Sequence, residues 1–190
     1  LVTLQGAQVL SWMAGGRERL YLSPEAVADG QTAIRGGVPL CFPQFNQRGP
    51  LPKHGFARNL PWEADAPEQD AQGRTVQRLR LADSPRSWAW WPETFVAELS
   101  LTLGDGELHI ALAVENPGAT PWDFTTALHS YLRVEDVANA QVQGLDGCAR
   151  WDAVTDQHLV QPGPVGFAGE YDSVFQAPPS RQLCLRDGAQ

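Results

Sequence analysis

The segment TFVAELSLTLGDGELHIALAVENPG, residues 94–118, decides the fold class of this 190-residue chain. Apolar residues alternate with mostly polar ones over residues 95–103 and again over residues 108–114. A period of two residues indicates strands with one buried face. The Gly-Asp-Gly at 104–106 tolerates the positive φ values that a tight hairpin turn requires. The segment therefore predicts an antiparallel β-hairpin, which ends at Asn116-Pro117.

Other segments show similar strand patterns. The stretches QVLSWM (8–13) and ERLYLS (18–23) read as two short strands on either side of the Gly15-Gly16 turn. The stretch RTVQRLRLAD (74–83) alternates imperfectly, and TTALHSYLRV (125–134) is rich in residues that favour strands. These patterns predict additional strands on both sides of the central hairpin.

Helical signals are weak throughout the sequence. SPEAVADG (23–30) predicts one short helix, with Ser23 as its cap and Pro24 in its first turn. The 18 glycines and 15 prolines are spread along the chain, as in β proteins with many turns. We therefore predict an all-β fold, a mainly antiparallel sandwich that forms one domain over residues 1–190. The chain begins on LVTLQ without a methionine and stops on CLRDGAQ, so we expect the sandwich to be truncated at both ends.

Composition excludes several classes of partner. The formal net charge of −8 argues against nucleic acid, which requires a basic face. The three cysteines form no CxxC pair, and the four histidines show no HxH or HxxxH spacing. We therefore expect no disulfide framework and no metal site, and a reducing, cytoplasmic compartment. No apolar run approaches the roughly 20 residues of a membrane span.

Two cationic clusters are candidate binding elements. Arg35 precedes Gly36-Gly37, where the backbone can approach a ligand closely, although Arg35 also fits a surface charge before a bulge. The stretch LPKHGFARNLPW (51–62) contains Lys53, His54 and Arg58 without an acidic residue. It predicts either a small anion site, since arginine is suited to bidentate phosphate contacts, or an ordinary surface turn.

Two further residues are candidates for acid–base chemistry or sugar binding. His129 lies in a strand pattern among apolar neighbours, which is typical of a hydrogen-bonded core histidine. Imidazole is also the side chain best suited to proton transfer near neutral pH. Asp172 follows Glu170-Tyr171 in a segment that reads as a turn, so it is either a turn acid or a ligand for hydroxyl groups.

Four motifs, taken in order, resemble one known family. They are RGGVPLCFPQF (35–45), GPLPKHGFARNLPW (49–62), LHSYLRV (128–134) and YDSVF (171–175). The sequence resembles the D-hexose-6-phosphate mutarotases, also called glucose-6-phosphate 1-epimerases, which are grouped with the aldose 1-epimerases. The resemblance runs from about residue 4 to residue 175.

The resemblance implies a galactose mutarotase-like β-supersandwich. It also implies an isomerase that interconverts the α and β anomers of a hexose 6-phosphate by acid–base ring opening, without a metal or nucleotide cofactor. We expect a monomer whose partner is the small hexose 6-phosphate, and neither nucleic acid nor a membrane. Since fold does not fix function, a non-catalytic carbohydrate-binding or sugar-phosphate-binding domain on the same scaffold stays open as the alternative. A metal-dependent, cupin-like enzyme that uses the histidines is a third hypothesis.

The family's site residues carry over by motif position. The resemblance implies that His129 is the general acid and that Arg35 and Arg58 bind phosphate and substrate. It further implies that His54 lines the same cleft and that Asp172 holds sugar hydroxyl groups.

Two departures from the family pattern bear on specificity and on activity. Lys53 occupies a position where some relatives have a glutamine, so a point charge replaces a hydrogen-bonding amide. The family's catalytic base is a glutamate tens of residues beyond the YDSVF motif, and this chain stops at Gln190. Glu170 does not match the motif position of that base. We therefore expect this chain to carry the acid and to lack the base.

Overall fold

The computed structural model describes residues 1–27, 29–178 and 180–188. The chain divides into two compact units, Leu1–Arg133 and Val134–Gln190. This division does not decide between one domain and two, so the expectation of a single domain over 1–190 stays a prediction. No helix formed by the described residues has the length and apolar character needed to cross a membrane.

Almost all regular elements of the first unit are strands. In chain order these are β1 (Met13–Ala14), β2 (Arg17–Glu18), β3 (Leu40–Cys41), β4 (Glu63–Ala64), β5 (Glu68–Gln69), β6 (Thr75–Ala82), β7 (Val96–Gly104), β8 (Glu107–Glu115) and β9 (Ala127–Leu128). One four-residue helix, α1 (Pro85–Trp88), and one 3₁₀ turn (Ala57–Asn59) complete the regular elements of this unit.

The predicted hairpin is the centre of the largest sheet. Strands β7 and β8 pair antiparallel in one register, from Val96 opposite Glu115 to Gly104 opposite Glu107. The two turn residues, Asp105 and Gly106, have φ values of +53° and +76°. Positive φ at both turn positions matches the right-handed twist of the flanking strands. The prediction of a hairpin over this segment is confirmed.

The rest of the sheet extends from the hairpin in the order β4-β6-β7-β8, and β5 also pairs with β6. Most of the apolar positions that alternate along β6 and β7 are buried, including Leu79 (0% exposed) and Leu99 (2% exposed), whereas Leu103 at the end of β7 is exposed. They pack in one cluster with Phe42, Phe95 and other residues of the unit. The strand predicted over 74–83 is confirmed as β6.

Shorter pairings lie outside this sheet. Strands β1 and β2 pair around Gly15-Gly16, as the sequence predicts, although each is only two residues long. Strand β3 pairs antiparallel with β9. Of the strand-like stretch 125–134, only Ala127–Leu128 forms a regular strand.

The helix predicted over residues 23–30 is wrong for the part that the structure describes. Residues 23–27 form a turn in which the Ala26 amide donates to the Ser23 carbonyl (3.0 Å), and Ala28 lies outside the described residues. A helix forms instead at Pro85–Trp88, where the Ser84 side chain accepts a hydrogen bond from the Ser87 amide. Ser87 is buried, so this short helix is held by its cap and by packing.

The second unit contains two three-stranded antiparallel sheets, β13-β10-β15 and β12-β11-β14. The strands are β10 (Ala140–Gln143), β11 (Ala149–Asp152), β12 (Gln157–Val160), β13 (Val165–Gly166), β14 (Ser173–Phe175) and β15 (Cys184–Asp187). A small apolar cluster forms around Leu145, Cys148 and Val165. In both units the regular pairing is antiparallel, which confirms the predicted all-β, mainly antiparallel fold.

Candidate functional site

His129 lies just beyond β9, on a backbone ladder with the segment that leads into β3. Its amide donates to the Pro39 carbonyl (2.9 Å), and the Tyr131 amide donates to the Gly37 carbonyl (2.8 Å). The side chain of His129 is exposed, and its ring forms no hydrogen bond with any described residue. The alternative of a hydrogen-bonded core histidine is therefore wrong, and the ring is open to a ligand.

A tight turn at His54-Gly55 places the second histidine. Both residues have φ of +69°, and the His54 amide donates to the Asn46 carbonyl (3.0 Å). The backbone at Gly55 passes directly against the Phe42 carbonyl, where a Cβ atom would collide with it. Glycine at position 55 therefore permits both the positive φ and the close approach to the strand segment that precedes the loop.

The two histidine rings meet edge to face. Their centroids lie 5.5 Å apart, and the ring planes are inclined by 79°. Phe45 packs 5.5 Å from the His54 ring, and Tyr131 packs 5.0 Å from the His129 ring, both measured between centroids. Two imidazoles that are distant in the sequence are thus neighbours in space.

The hydrogen bonds of His54 fix where its proton lies. The Asn46 amide donates to Nδ1 over 3.2 Å, and the Cys41 Sγ atom lies 3.4 Å from the same nitrogen. Since Nδ1 accepts from a backbone amide, the neutral ring carries its proton on Nε2. Burial, then the positive charges of Arg58, His129 and Lys53, lower the pKa of His54 to about 4. His54 is therefore a neutral imidazole with an Nε2–H donor at pH 7.

Arg58 lies beside this imidazole, on the 3₁₀ turn that follows Gly55. Its Nη2 atom donates to the Lys53 carbonyl over 3.0 Å. Its Nε atom is buried and has no hydrogen-bond partner among the described residues. Burial raises the pKa of the Cys41 thiol, and the positive charge of Arg58 opposes this increase. The same charge lowers the pKa of His54. A half-buried guanidinium next to a neutral imidazole is suited to an anionic ligand, which its exposed edge would contact while Nε stays buried.

Lys53 contributes charge to the same turn. Its side chain is exposed and forms no hydrogen bond with another described residue. Its backbone carbonyl accepts the hydrogen bond from Arg58. Lys53 therefore adds positive potential without a fixed geometry. Its role in substrate binding stays a prediction.

Arg35 is exposed, at the start of the ladder that leads to β3. The following glycines have φ of +118° and +61°, and the buried Gln8 side chain donates to the Ile34 and Gly36 carbonyls (3.1 and 2.6 Å). The Arg35 side chain has no ion-pair or hydrogen-bond partner in the described part of the chain. The backbone here is firmly held and the cation is available, but its role as a ligand stays a prediction.

Asp172 belongs to the second unit, where it is exposed immediately before β14. Its carbonyl accepts from the Ala153 amide (2.9 Å). Arg150 holds both neighbours of Asp172: its guanidinium stacks 4.9 Å from the Tyr171 ring centroid and its Nε donates to Ser173 Oγ (2.9 Å). The contact of Asp172 with sugar hydroxyl groups stays a prediction.

Aromatic residues near these motifs mostly serve the core. Phe42 and Trp62 are 0% and 2% exposed, so they are not open platforms for a sugar ring. Trp90 is 41% exposed and stacks on Phe56 with centroids 5.6 Å apart. Within residues 1–27, 29–178 and 180–188, no three His, Cys, Asp or Glu side chains converge as metal ligands would.

The sequence reasoning missed three contributors to the His54 environment. These are the Cys41 thiol, the Asn46 amide and the buried side chain of Gln44. A signal was present for Gln44, since it is the one amide in the otherwise apolar run VPLCFPQF. A buried amide in such a run has to hydrogen-bond to something specific. The Asn46 amide gives no signal, because every residue except proline has one.

Comparison with known proteins places this arrangement in context. The sequence matches the family described as "Aldose 1-epimerase" over residues 1–190. A Cenchrus ciliaris protein and a Salmonella typhimurium protein, both provisionally named glucose-6-phosphate 1-epimerase, are 34% and 38% identical over 95% and 92% of this chain. The chain spans only 58% and 59% of the length of these two relatives.

A solved structure agrees with the sequence match. The crystal structure of YeaD from Salmonella typhimurium, provisionally titled a mutarotase, superposes with a TM-score of 0.83 at 35% identity. The superposition covers 93% of this chain and 59% of that one. The predicted galactose mutarotase-like fold is confirmed by this likeness.

Proposed function

The chain belongs to the aldose 1-epimerase family, and from this premise we propose that it is part of an enzyme that interconverts the α and β anomers of a hexose 6-phosphate. The activity and the substrate are proposals for the whole protein, because this chain spans about three fifths of its relatives. The provisional names of those relatives support the choice of a phosphorylated hexose.

One observation carries the proposal: an exposed imidazole at His129 touches a neutral imidazole at His54, with the Arg58 guanidinium beside it. Anomer exchange requires a proton donor for the sugar ring oxygen and fixed contacts that orient the ring. Phosphate binding requires a cation at a distance from the reacting carbon. The three side chains supply these chemical functions in one place.

The proposed reaction opens and recloses the sugar ring. His129, as imidazolium, protonates the ring oxygen while the C1 hydroxyl loses its proton to a base, and the C1–ring-oxygen bond breaks to give the aldehyde. The aldehyde rotates about the C1–C2 bond, and closure on the other face returns both protons. We assign no residue of this chain to the base. Each positioned acid or base contributes about 10²–10⁴ in rate.

His54 and the cations orient the substrate in this scheme. The Nε2–H group of His54 donates to a sugar hydroxyl, and Arg58 binds the phosphate, with Arg35 and Lys53 adding positive potential. Binding energy from the phosphate fixes the ring relative to His129. Asp172 is proposed to accept hydrogen bonds from further hydroxyl groups.

The direct test is the rate of anomer exchange of glucose 6-phosphate, measured by NMR exchange spectroscopy with and without the full-length protein that contains this chain. Acceleration beyond the spontaneous rate, together with saturable binding by calorimetry, would support the proposal. Binding without acceleration would favour the alternative, a non-catalytic sugar-phosphate-binding domain. Neither binding nor acceleration would refute both.

Arg58→Ala tests the phosphate assignment. We expect the Kd for glucose 6-phosphate to rise roughly 10- to 100-fold, since hydrogen bonds to charged groups contribute about 1.5–3 kcal/mol, while the Kd for free glucose changes little. Arg86→Ala, which removes an exposed arginine of α1, is the matched control. Equal losses for glucose and for glucose 6-phosphate would show that Arg58 does not bind the phosphate.

The cellular location and the assembly state are proposals of the same kind. The sequence-based expectations of a cytoplasmic monomer that binds neither nucleic acid nor a membrane stay predictions. Size-exclusion chromatography with light scattering measures the assembly state directly.

A further inference from the structure

Gln44 is a buried amide at the entrance to the loop that leads to His54. Its side chain is 3% exposed and lies directly after the apolar run of β3. Nε2 donates to the carbonyls of Asn46 and Leu51, both over 3.0 Å, and Oε1 accepts from the Leu51 amide over 3.0 Å. One side chain thus joins both ends of the 46–51 loop.

The backbone of Asn46 connects Gln44 to the imidazole through its amide on one side and its carbonyl on the other. The Asn46 carbonyl accepts from both Gln44 Nε2 and the His54 amide, each over 3.0 Å. The Asn46 amide donates to His54 Nδ1 over 3.2 Å. Asn46 also has a φ of +54°. Asparagine adopts positive φ more readily than most residues, but its side chain alone does not hold the backbone there. The orientation of this amide therefore depends on what holds the loop.

Packing around the Gln44 amide is tight. A Cβ atom at Gly49 would collide with Gln44 Oε1, so the loop closes directly over the side chain. A buried amide with both donors and its acceptor engaged is costly to disturb, because each broken bond leaves a polar group without water or a partner. The loop therefore has one strongly preferred arrangement while Gln44 is present.

We propose that Gln44 is a positioning residue for His54: it holds the Asn46 amide against Nδ1, so that the ring presents Nε2–H as its donor to a sugar hydroxyl. The contact with a sugar rests on the proposed function, whereas the control of the tautomer does not. Gln44 acts through Asn46 and makes no contact with substrate in this scheme.

The cations around His54 act on its charge, and the Cys41 thiol is a second, weaker hydrogen-bond partner of Nδ1 beside the Asn46 amide. Arg58, His129 and Lys53 disfavour the imidazolium by their positive charge, and the Cys41 thiol lies near Nδ1. Burial is the largest of the causes that lower the pKa of His54. Loosening the loop over the ring would admit water, and the pKa would then rise toward its ordinary value.

The test is ¹⁵N NMR of the four histidine rings in the wild-type protein, in Gln44→Met and in Gln44→Glu. Methionine keeps the approximate shape and removes all three hydrogen bonds; glutamate keeps the acceptor for the Leu51 amide and removes both donors. In the wild type we expect the Nε2–H tautomer and a His54 midpoint near pH 4. In both variants we expect a mixture of tautomers. In Gln44→Met we also expect a midpoint shifted toward 6.5, whereas in Gln44→Glu the new carboxylate raises the midpoint by itself and the tautomer is the readout.

Gln8→Met is the matched control. Gln8 is 1% exposed and also donates from Nε2 to two backbone carbonyls, those of Ile34 and Gly36, away from the 46–51 loop. We expect a comparable loss of stability in Gln8→Met, with the His54 tautomer and midpoint unchanged. Equal changes of the His54 signals in Gln8→Met and Gln44→Met would show a general structural effect and overturn the proposal.

Two further outcomes decide the matter. The proposal would be overturned if folded Gln44→Met kept the wild-type tautomer and midpoint. If Gln44→Met does not fold, the wild-type tautomer in Gln44→Glu would overturn it. If neither variant folds, amide hydrogen exchange in the wild type decides: strong protection of Asn46 is expected, and exchange at the rate of an exposed peptide would overturn the proposal.

Activity separates this inference from the proposed function. If the protein exchanges anomers of glucose 6-phosphate, Gln44→Met should raise KM roughly 2- to 10-fold with a smaller change in kcat, as the loss of one neutral hydrogen bond implies. If the wild type is inactive and the ring signals respond as expected, the proposed function fails and the positioning role of Gln44 stands.

Discussion

The protein holds the two histidine rings of the candidate site very differently. His54 follows a loop that is closed by a buried amide, and a backbone N–H fixes its Nδ1 atom. His129 follows a two-residue strand, is exposed, and has no hydrogen bond to its ring from the described residues. The rings nevertheless lie 5.5 Å apart.

This difference suits the two histidines to different purposes in the proposed site. Burial and neighbouring cations keep His54 neutral, so it is suited to a constant hydrogen bond and unsuited to releasing and regaining a proton at pH 7. An exposed ring without fixed partners is the better proton carrier. The comparison predicts that the two histidines respond very differently to substitution.

His129→Asn should have the largest effect. We expect kcat for anomer exchange to fall by 10² or more, because the donor to the ring oxygen is lost, while the thermal midpoint changes little at this exposed position. NMR exchange spectroscopy with glucose 6-phosphate measures the rate. His109→Asn, which alters an exposed histidine of β8, is the control and should keep full activity. Near-normal exchange in His129→Asn would remove the proposed acid from the account.

Gly55→Ala should destabilise the turn that carries His54. Its Cβ would strike the Phe42 carbonyl, and we expect a loss of about 1–3 kcal/mol beyond the cost of a positive φ. Gly106→Ala provides that reference, since Gly106 has a φ of +76° and nothing within 4 Å of the added Cβ. Urea denaturation of both variants gives the difference. Equal losses would mean that the segment around Gly55 yields easily and does not hold His54 in one place.

His54→Asn should have a smaller effect on catalysis. Asparagine tolerates the φ of +69°, so the turn is kept, but the Nε2–H donor is lost. We expect KM for glucose 6-phosphate to rise roughly 2- to 10-fold and kcat to change less than in His129→Asn. Steady-state kinetics on both variants provides the comparison. A fall in kcat as large as that of His129→Asn would assign proton transfer to His54 as well.

The pH dependence of stability should carry a small, separate signature of His54. Its pKa in the folded state, about 4, is below the ordinary value of 6.5, so the unfolded chain binds the extra proton first as the pH falls. The stability is therefore complete above about pH 6.5 and declines as the pH falls toward 4. Urea denaturation at several pH values should show this decline, and His54→Asn should flatten it. An unchanged slope in His54→Asn would show that His54 titrates normally.

Local rules account for how far the sequence predicted the fold. The hairpin at 94–118 was predictable because the alternation of its strands and the residues of its turn all lie within one short stretch of sequence. The helix expected over 23–30 was wrong because a cap and a proline permit a first turn but do not supply the packing that holds one. The actual helix at Pro85–Trp88 buries Ser87 against the unit.

The site was predictable only in part. The motifs supplied His54, Arg58 and His129 as candidates, and the structure brings the two rings together with the guanidinium beside them. The Asn46 amide and the tautomer of His54 were out of reach, since both depend on a loop closed by contacts between Gln44 and Leu51. Such contacts follow from the folded backbone and leave no pattern of spacing.

The most direct measurement is a titration of the protein with glucose 6-phosphate, followed by the ring signals of its four histidines. We predict that the signals of His54 and His129 shift together and saturate at one ligand concentration, while those of His109 and His158 stay fixed. Separate saturation of His54 and His129, or shifts confined to His109 and His158, would contradict a common sugar site.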